Sequence, residues 1–267
     1  MDFEKKHQED LQRLRGFRLL DDDFMTKVFE DISCAELLLR IILNDEGIRV
    51  LEAHSQRGIK NLQGRSVKLD ILAVDSHNRV FNVEVQRSDR GAGAKRARYN
   101  SALIDANVTE PGDQYEDLNE TFVIFITEND VLGENLPIYH VDRIIRETGK
   151  MFNDESHIIY VNSQIKDETA LGKLMHDFTC TNAKDMYYEV LADRVHYFKE
   201  DEEGVAIMCK AMEDMRNEAA REAEKMKAIR MARLMIEDGK LSYEDIAMYT
   251  ELTLEEVEKI ALEKKSA

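Results

Sequence analysis

Proline is nearly absent from this chain, with two residues in 267, and cysteine is sparse and odd in number, with three. With so little proline and 43% hydrophobic residues, the sequence reads as globular rather than low-complexity. Cys34, Cys180 and Cys209 are widely separated and form no C-x-x-C pair. That argues against a zinc knuckle or a disulfide framework and for reduced thiols in a cytoplasm. The seven histidines show no H-x-x-x-H or similar spacing, which counts against a histidine-based metal site. No apolar run approaches the roughly 18 residues of a membrane span. The start, Asp2-Phe3-Glu4-Lys5-Lys6-His7, is charged and counts against a secretory leader. The expectation is a cytoplasmic protein with no membrane partner.

Basic charge is also short: 37 Lys and Arg stand against 54 Asp and Glu, a net −17. Phosphate contacts dominate nucleic-acid binding, so the average composition argues against that partner. The charge is unevenly spread, however. Ten basic residues between Arg57 and Arg98 face only Asp70, Asp75, Glu84 and Asp89, so this stretch is +6 and the other 225 residues carry −23. A basic island around a few acids suits a site that handles a phosphodiester.

Within that island two strand-like runs follow one another, Val67 to Val74 and Arg79 to Gln86. The turn residues Asp75-Ser76-His77-Asn78 separate them and predict a β-hairpin. Glu84 and Gln86 alternate with Val83 and Val85, so the polar pair shares one strand face, about 7 Å apart at Cα. Asp70 lies on the preceding strand, at the head of the unbroken apolar run Ile71-Leu72-Ala73-Val74 that marks a strand covered on both faces. An acid there is half-buried and needs a metal or a cationic partner. Two carboxylates on neighbouring strands suffice for Mg²⁺, which takes few protein ligands and keeps several waters. The plainer reading of the same acids is a solvated hairpin face.

Residues 1–20 are expected to form a helix or a loose arm. Asp21-Asp22-Asp23 would cap a helix from Phe24 to Leu43, whose apolar positions Phe24, Val28, Ile32, Ala35, Leu38, Leu39 and Ile42 lie on one face. A strand follows at 48–53, a loop at 56–64, then the hairpin. A second helix runs from Lys95 to about Val108, and strands are expected at 121–127, 138–145 and 157–161. Beyond residue 165 only helices are expected, over 169–177, 183–198 and 205–237. The last carries Met208, Met212, Met215, Ala219, Ala223, Met226 and Ile229 at spacings of three and four, a packing or homodimer face. Ser242 to Asp245 and Thr253 to Glu256 are capping boxes in a helix–turn–helix-like end with Ile246, Ala247, Leu252, Val257 and Ile260 as its core. Its second helix opens with Glu255 and Glu256, which would repel phosphates and favour a structural or assembly role over DNA reading.

The stretch Asn61 to Asp75 followed by Phe81-Asn82-Val83-Glu84-Val85-Gln86 resembles the recombination-promoting nuclease (Rpn) family, also described as transposases, of bacteria. Lys95-Arg96-Ala97-Arg98-Tyr99-Asn100-Ser101, Pro111-Gly112-Asp113-Gln114-Tyr115 and Phe122 to Thr127 fit the same family. The resemblance implies a PD-(D/E)XK nuclease fold: an α/β αβββαβ core with a mixed central sheet, followed by an all-helical C-terminal region. It divides the chain into an arm (1–20), a nuclease core (21–165), a helical extension (166–238) and the terminal unit (239–267). It implies Asp70 and Glu84 as ligands of Mg²⁺ or Mn²⁺. Gln86 stands where the superfamily usually has lysine; it can orient water but brings no charge. Lys68, two residues before Asp70 on the same strand face, is a candidate replacement. Either Glu36 or Asp31 is the candidate acid from the first helix.

The implied activity is endonucleolytic hydrolysis of double-stranded DNA with low sequence specificity, linked to recombination or mobile DNA. Arg65, Arg87, Arg90, Lys95, Arg96 and Arg98 would hold the backbone, and such contacts position without specifying. The alternative is a catalytically weak nucleic-acid-binding or assembly protein that keeps the nuclease fold. A transposase proper has only the family's name behind it, since the sequence carries no strand-transfer motif.

Overall fold

A computed structural model describes residues 2–59, 66–87, 89–109, 112 and 114–265. It divides into two compact units, Met1–Cys209 and Lys210–Ala267. In the first, helices α1 (Asp2–Gly16), α2 (Asp22–Val28) and α3 (Ile32–Leu43) lead into strands β1 (Val50–Ile59), β2 (Val67–Asp75) and β3 (Val80–Gln86). Helix α4 (Ala94–Val108) and strand β4 (Thr121–Thr127) follow, so α3 to β4 trace the αβββαβ succession. The short strands β5 (Ile138–Val141), β6 (Ile144–Ile145) and β7 (Lys150–Met151) precede β8 (Ser156–Asn162). The main sheet runs β1-β2-β3-β4-β8-β5. Strands β1 to β3 pair antiparallel, β3, β4 and β8 parallel, and β5 antiparallel at the far edge. The mixed central sheet expected from the resemblance is therefore present.

Strands β3 and β4 lie inside this sheet, which is why all their residues except Gln86 are buried irrespective of face. Helix α4 covers one side, packing Ala97, Leu103 and Ile104 with Leu72, Val123, Phe125 and Tyr160. Asn82 and Glu84 pair in register with Val123 and Phe125, so both polar side chains look toward α4. Helix α2 packs near β1, β2 and β3, and α3 beside β1.

Several boundaries differ from the sequence expectation for local reasons. The helix expected from Phe24 to Leu43 is two helices, because the Asp31 carboxylate accepts from the Ser33 and Cys34 amides and starts α3 anew. The loop expected at 56–64 is strand as far as Ile59, held by the pairs Arg57 with Leu69 and Ile59 with Val67; residues 60–65 lie outside the described ones. The strand expected at 138–145 is divided into β5 and β6. Helix α5 spans Ala170–Thr179, and the helix expected over 183–198 is a 3-10 turn at Ala183–Asp185 followed by α6 (Glu189–Glu200). Past residue 165 the described residues contain no strand.

Helix α7 runs from Glu202 to Asp238, and its methionine stripe is buried only at Met208 and Met212, while Met226 is 66% exposed. In the second unit α8 (Tyr243–Thr250) and α9 (Leu254–Lys265) share a core of Ile246, Leu252, Val257 and Ile260 with Ala232 of α7. Both capping boxes form, with Ser242 Oγ accepting from the Asp245 amide at 3.1 Å and Thr253 Oγ1 from the Glu256 amide at 3.2 Å. Glu251 adopts a left-handed φ of 58° at the turn where glycine is the usual residue.

The β2–β3 turn sets the register that brings Asp70 level with Glu84. Asp75, fully buried, accepts from the His77 and Arg79 amides and from Arg79 Nε, each at 2.8–2.9 Å. Arg79 also pairs with Asp45 at 3.1 Å. Asp75→Ala would strand a shielded guanidinium and two amides, and is expected to cost about 3 kcal/mol of stability in urea unfolding.

Candidate active site

The β2–β3 ladder is paired from Val74 with Val80 to Ile71 with Val83, one step short of Asp70 opposite Glu84. There the strands part, and the Asp70 side chain takes up a free strand amide: the Val85 N–H donates to Asp70 Oδ2 at 3.1 Å. Glu84 is fully buried. Its Oε1 accepts from Asn82 Nδ2 at 3.1 Å and its Oε2 from Arg96 Nη2 at 2.5 Å. Asn100 of α4 donates to Asn82 Oδ1 at 3.2 Å, so an amide relay from the helix fixes the carboxylate's orientation.

Arg96 is among the residues expected to hold the DNA backbone. It instead turns inward, pairing with Glu84, reaching Gln86 Oε1 at 3.3 Å and the Gly91 carbonyl at 3.0 Å, and lying over the Phe125 ring. The site therefore holds a cation after all, supplied by a helix and lodged between Glu84 and the glutamine. Gly91 makes room for this: a Cβ there would sit 1.7 Å from Gln86 Oε1.

The remaining acid near the pair is Asp22, at the start of α2. Its charge bears on both Asp70 and Glu84. Neither proposed first-helix acid takes this place. Asp31 caps α3, and Glu36 pairs with Arg40 and Arg49 and accepts from the Val50 amide. The sequence signal for Asp22 is weak, because helix capping alone accounts for three consecutive acids at Asp21-Asp22-Asp23. Asp22 lines a cleft of about 350 Å³ with Arg13, Phe17, Asp21, Asp23, Val85, Gln86 and Arg87.

Lys68 is exposed on β2, two residues from Asp70. Arg87 pairs with Asp21 at 2.8 Å and Glu128 at 3.4 Å, while Lys95 and Arg98 are exposed on the first turns of α4. Arg65 and the side chain of Arg90 lie outside the described residues.

Burial drives the Asp70 carboxyl up to about 8, reinforced by the Glu84 and Asp22 charges and only partly opposed by the Val85 amide and Arg96. Burial also raises Glu84, with Arg96 and Asn82 pulling the other way. Asp22 is raised by burial and by Asp23. Burial and neighbouring like charges disfavour the ionised carboxylate, and a cation placed beside it would act in the opposite sense. Two hard oxygen ligands side by side, each with lone pairs to spare, fit a Mg²⁺-type ion.

This has a stability consequence. Between the unfolded Asp value of about 3.9 and about 8, the folded metal-free protein holds a proton at Asp70 that the unfolded chain has lost. Stability from this group is therefore full below the unfolded value and falls as pH rises through the window, by at most about 1.4 kcal/mol per pH unit. In EDTA, Asp70→Asn is expected to melt higher than wild type at pH 8 and to flatten the pH dependence of Tm between 5 and 8.

Comparison with known proteins returns one family, described as PD-(D/E)XK nuclease family transposase, matched over residues 36–257. No curated protein and no solved structure matches the chain. No helix among the described residues is long and apolar enough to cross a membrane. The family match covers most of the chain, including both strand acids, the glutamine and the α4 arginine, and the chain belongs to the PD-(D/E)XK nuclease family transposases.

Proposed function

We propose that the protein is a divalent-metal-dependent DNA endonuclease of low sequence specificity, working in recombination or on mobile DNA, with Asp70 and Glu84 as metal ligands. The observation that carries this is the pair of a half-buried Asp70 and a fully buried Glu84 at the point where β2 and β3 diverge, beside an open cleft. Mg²⁺ or Mn²⁺ held there would supply an acidified water and offset charge developing on the phosphate.

The chain's own residues do the rest. Asp70 and Glu84 present oxygens on one strand level, and Asn82 with Asn100 keeps Glu84 from rotating. Gln86 faces the cleft and orients the attacking water through its amide. Arg96 occupies the role of the missing lysine: a fixed positive charge within reach of Glu84 and Gln86 that steadies the anionic transition state. Lys68 is the second candidate for that charge. Lys95 and Arg98, exposed on α4, draw in the backbone without reading bases.

A competing reading, a nucleic-acid-binding or assembly protein that keeps the fold with little turnover, rests on Gln86 in the lysine position and on the net −17. Nicking of supercoiled plasmid separates the two. Wild type with Mg²⁺ is expected to nick, and Asp70→Ala to fall at least 100-fold. Salt-dependent DNA retention without nicking in wild type would favour the binding reading. Arg96→Ala is expected to lose more activity than Lys68→Ala; the reverse order would return the cation's role to Lys68. Gly91→Ala would push only the flexible end of Gln86 aside. It is expected to cut the nicking rate about 10–100-fold with Tm nearly unchanged, since small misplacements of a positioning group cost rate rather than fold.

A further inference from the structure

Away from the strand acids, three side chains converge where α5 ends. Among the described residues, His176, Asp177 and Cys180 are the one group of three or more metal-ligand types whose donor atoms all lie within 4.8 Å of one another. His176 Nδ1 is 3.3 Å from Asp177 Oδ1 and 3.5 Å from Cys180 Sγ. A tetrahedral zinc with Zn–N and Zn–O near 2.0–2.1 Å and Zn–S near 2.3 Å has ligand-to-ligand edges of about 3.3–3.6 Å. The two measured edges fall in that range.

We propose that His176 Nδ1, Asp177 Oδ1 and Cys180 Sγ form a zinc-class site, with water in the fourth position, at the C-terminal end of α5. The donor set of one nitrogen, one oxygen and one sulfur selects Zn²⁺ or a similar late first-row ion over Mg²⁺. Nitrogen, oxygen and sulfur donors converge on one spot at the helix end, so a single cation there would meet all three at once.

The surroundings orient the ligands as outer partners of a metal site do. Asp177 is fully buried and accepts from the Tyr187 amide at 2.8 Å and the Tyr188 amide at 2.9 Å. The His176 ring meets Tyr187 edge to face at 4.8 Å. Cys180 Sγ also approaches the Asp185 carbonyl at 3.7 Å. His176 and Cys180 are half-buried, which leaves an entry for the ion. On binding, the Cys180 S–H bond breaks, its proton goes to water and a thiolate–metal bond forms. The Phe178 carbonyl of the same helix end accepts from the Leu20 amide at 3.2 Å, so the site lies at the helix end on which the segment leading to Asp22 is anchored. The sequence signal is His176 and Cys180 four apart, a spacing that a search for paired histidines or paired cysteines passes over.

The test is a Co²⁺ titration of the full chain after EDTA treatment, run beside an Asp70→Ala, Glu84→Ala double variant. Both proteins are expected to develop the same thiolate-to-cobalt band in the near ultraviolet with tetrahedral visible bands, lost on adding Zn²⁺. The double variant saturates at one ion per chain, and wild type takes up further Co²⁺ without added near-ultraviolet intensity. Cys180→Ser is expected to abolish the near-ultraviolet band, and His176→Ala to weaken binding at least tenfold. A band that survives Cys180→Ser, or none in wild type, overturns the proposal. Should the variants fail to fold, alkylation of Cys180 in wild type, followed by peptide mass spectrometry, decides: at least tenfold protection by Zn²⁺ is expected, and an unchanged rate overturns the site.

Discussion

Two carboxylates held out of water on adjacent strands set the terms for this protein. Asp70 and Glu84 repel each other, and burial penalises both charges, so the fold must bring compensation to them. It does so unequally. Glu84 receives Arg96 and Asn82; Asp70 receives a single strand amide. The position of α4, the glycine at 91 and the parting of β2 from β3 all bear on that arrangement, and Asp70 is the less compensated of the two acids.

The same constraint accounts for the glutamine. A lysine at position 86 would add a second cation beside one that α4 already contributes through Arg96. In this geometry the positive charge and the Gln86 amide come from different elements, the helix and the strand. The acidic overall balance is less of an obstacle to an anionic substrate than its size suggests. Much of the basic island is nevertheless turned inward or paired: Arg79 on Asp75 and Asp45, Arg87 on Asp21 and Glu128, and Arg96 on Glu84. What faces outward on α4 is Lys95 and Arg98.

The hairpin, the β4 strand, the α4 helix and both terminal capping boxes were legible because each rests on short-range patterning. Alternation, turn residues and hydroxyl-to-acid spacing act within a few residues of one another. Errors arose where a side chain cut across the pattern. The Asp31 cap interrupted an apolar face that looked continuous, and strand pairing carried β1 through polar residues that read as loop. Asn82 and Asn100 were visible only as polar residues amid apolar ones, with nothing local to show that they touch.

The sequence by itself determined the two strand acids, their level on neighbouring strands and the family, because the side-chain period of a β-strand and a run of linked motifs are properties of the chain. Tertiary structure alone decided which distant groups complete the site. Asp22 lies 48 residues before Asp70, and Arg96 lies 12 after Glu84 on another element. Electrostatic partners are chosen by proximity in space, and no local periodicity encodes that proximity.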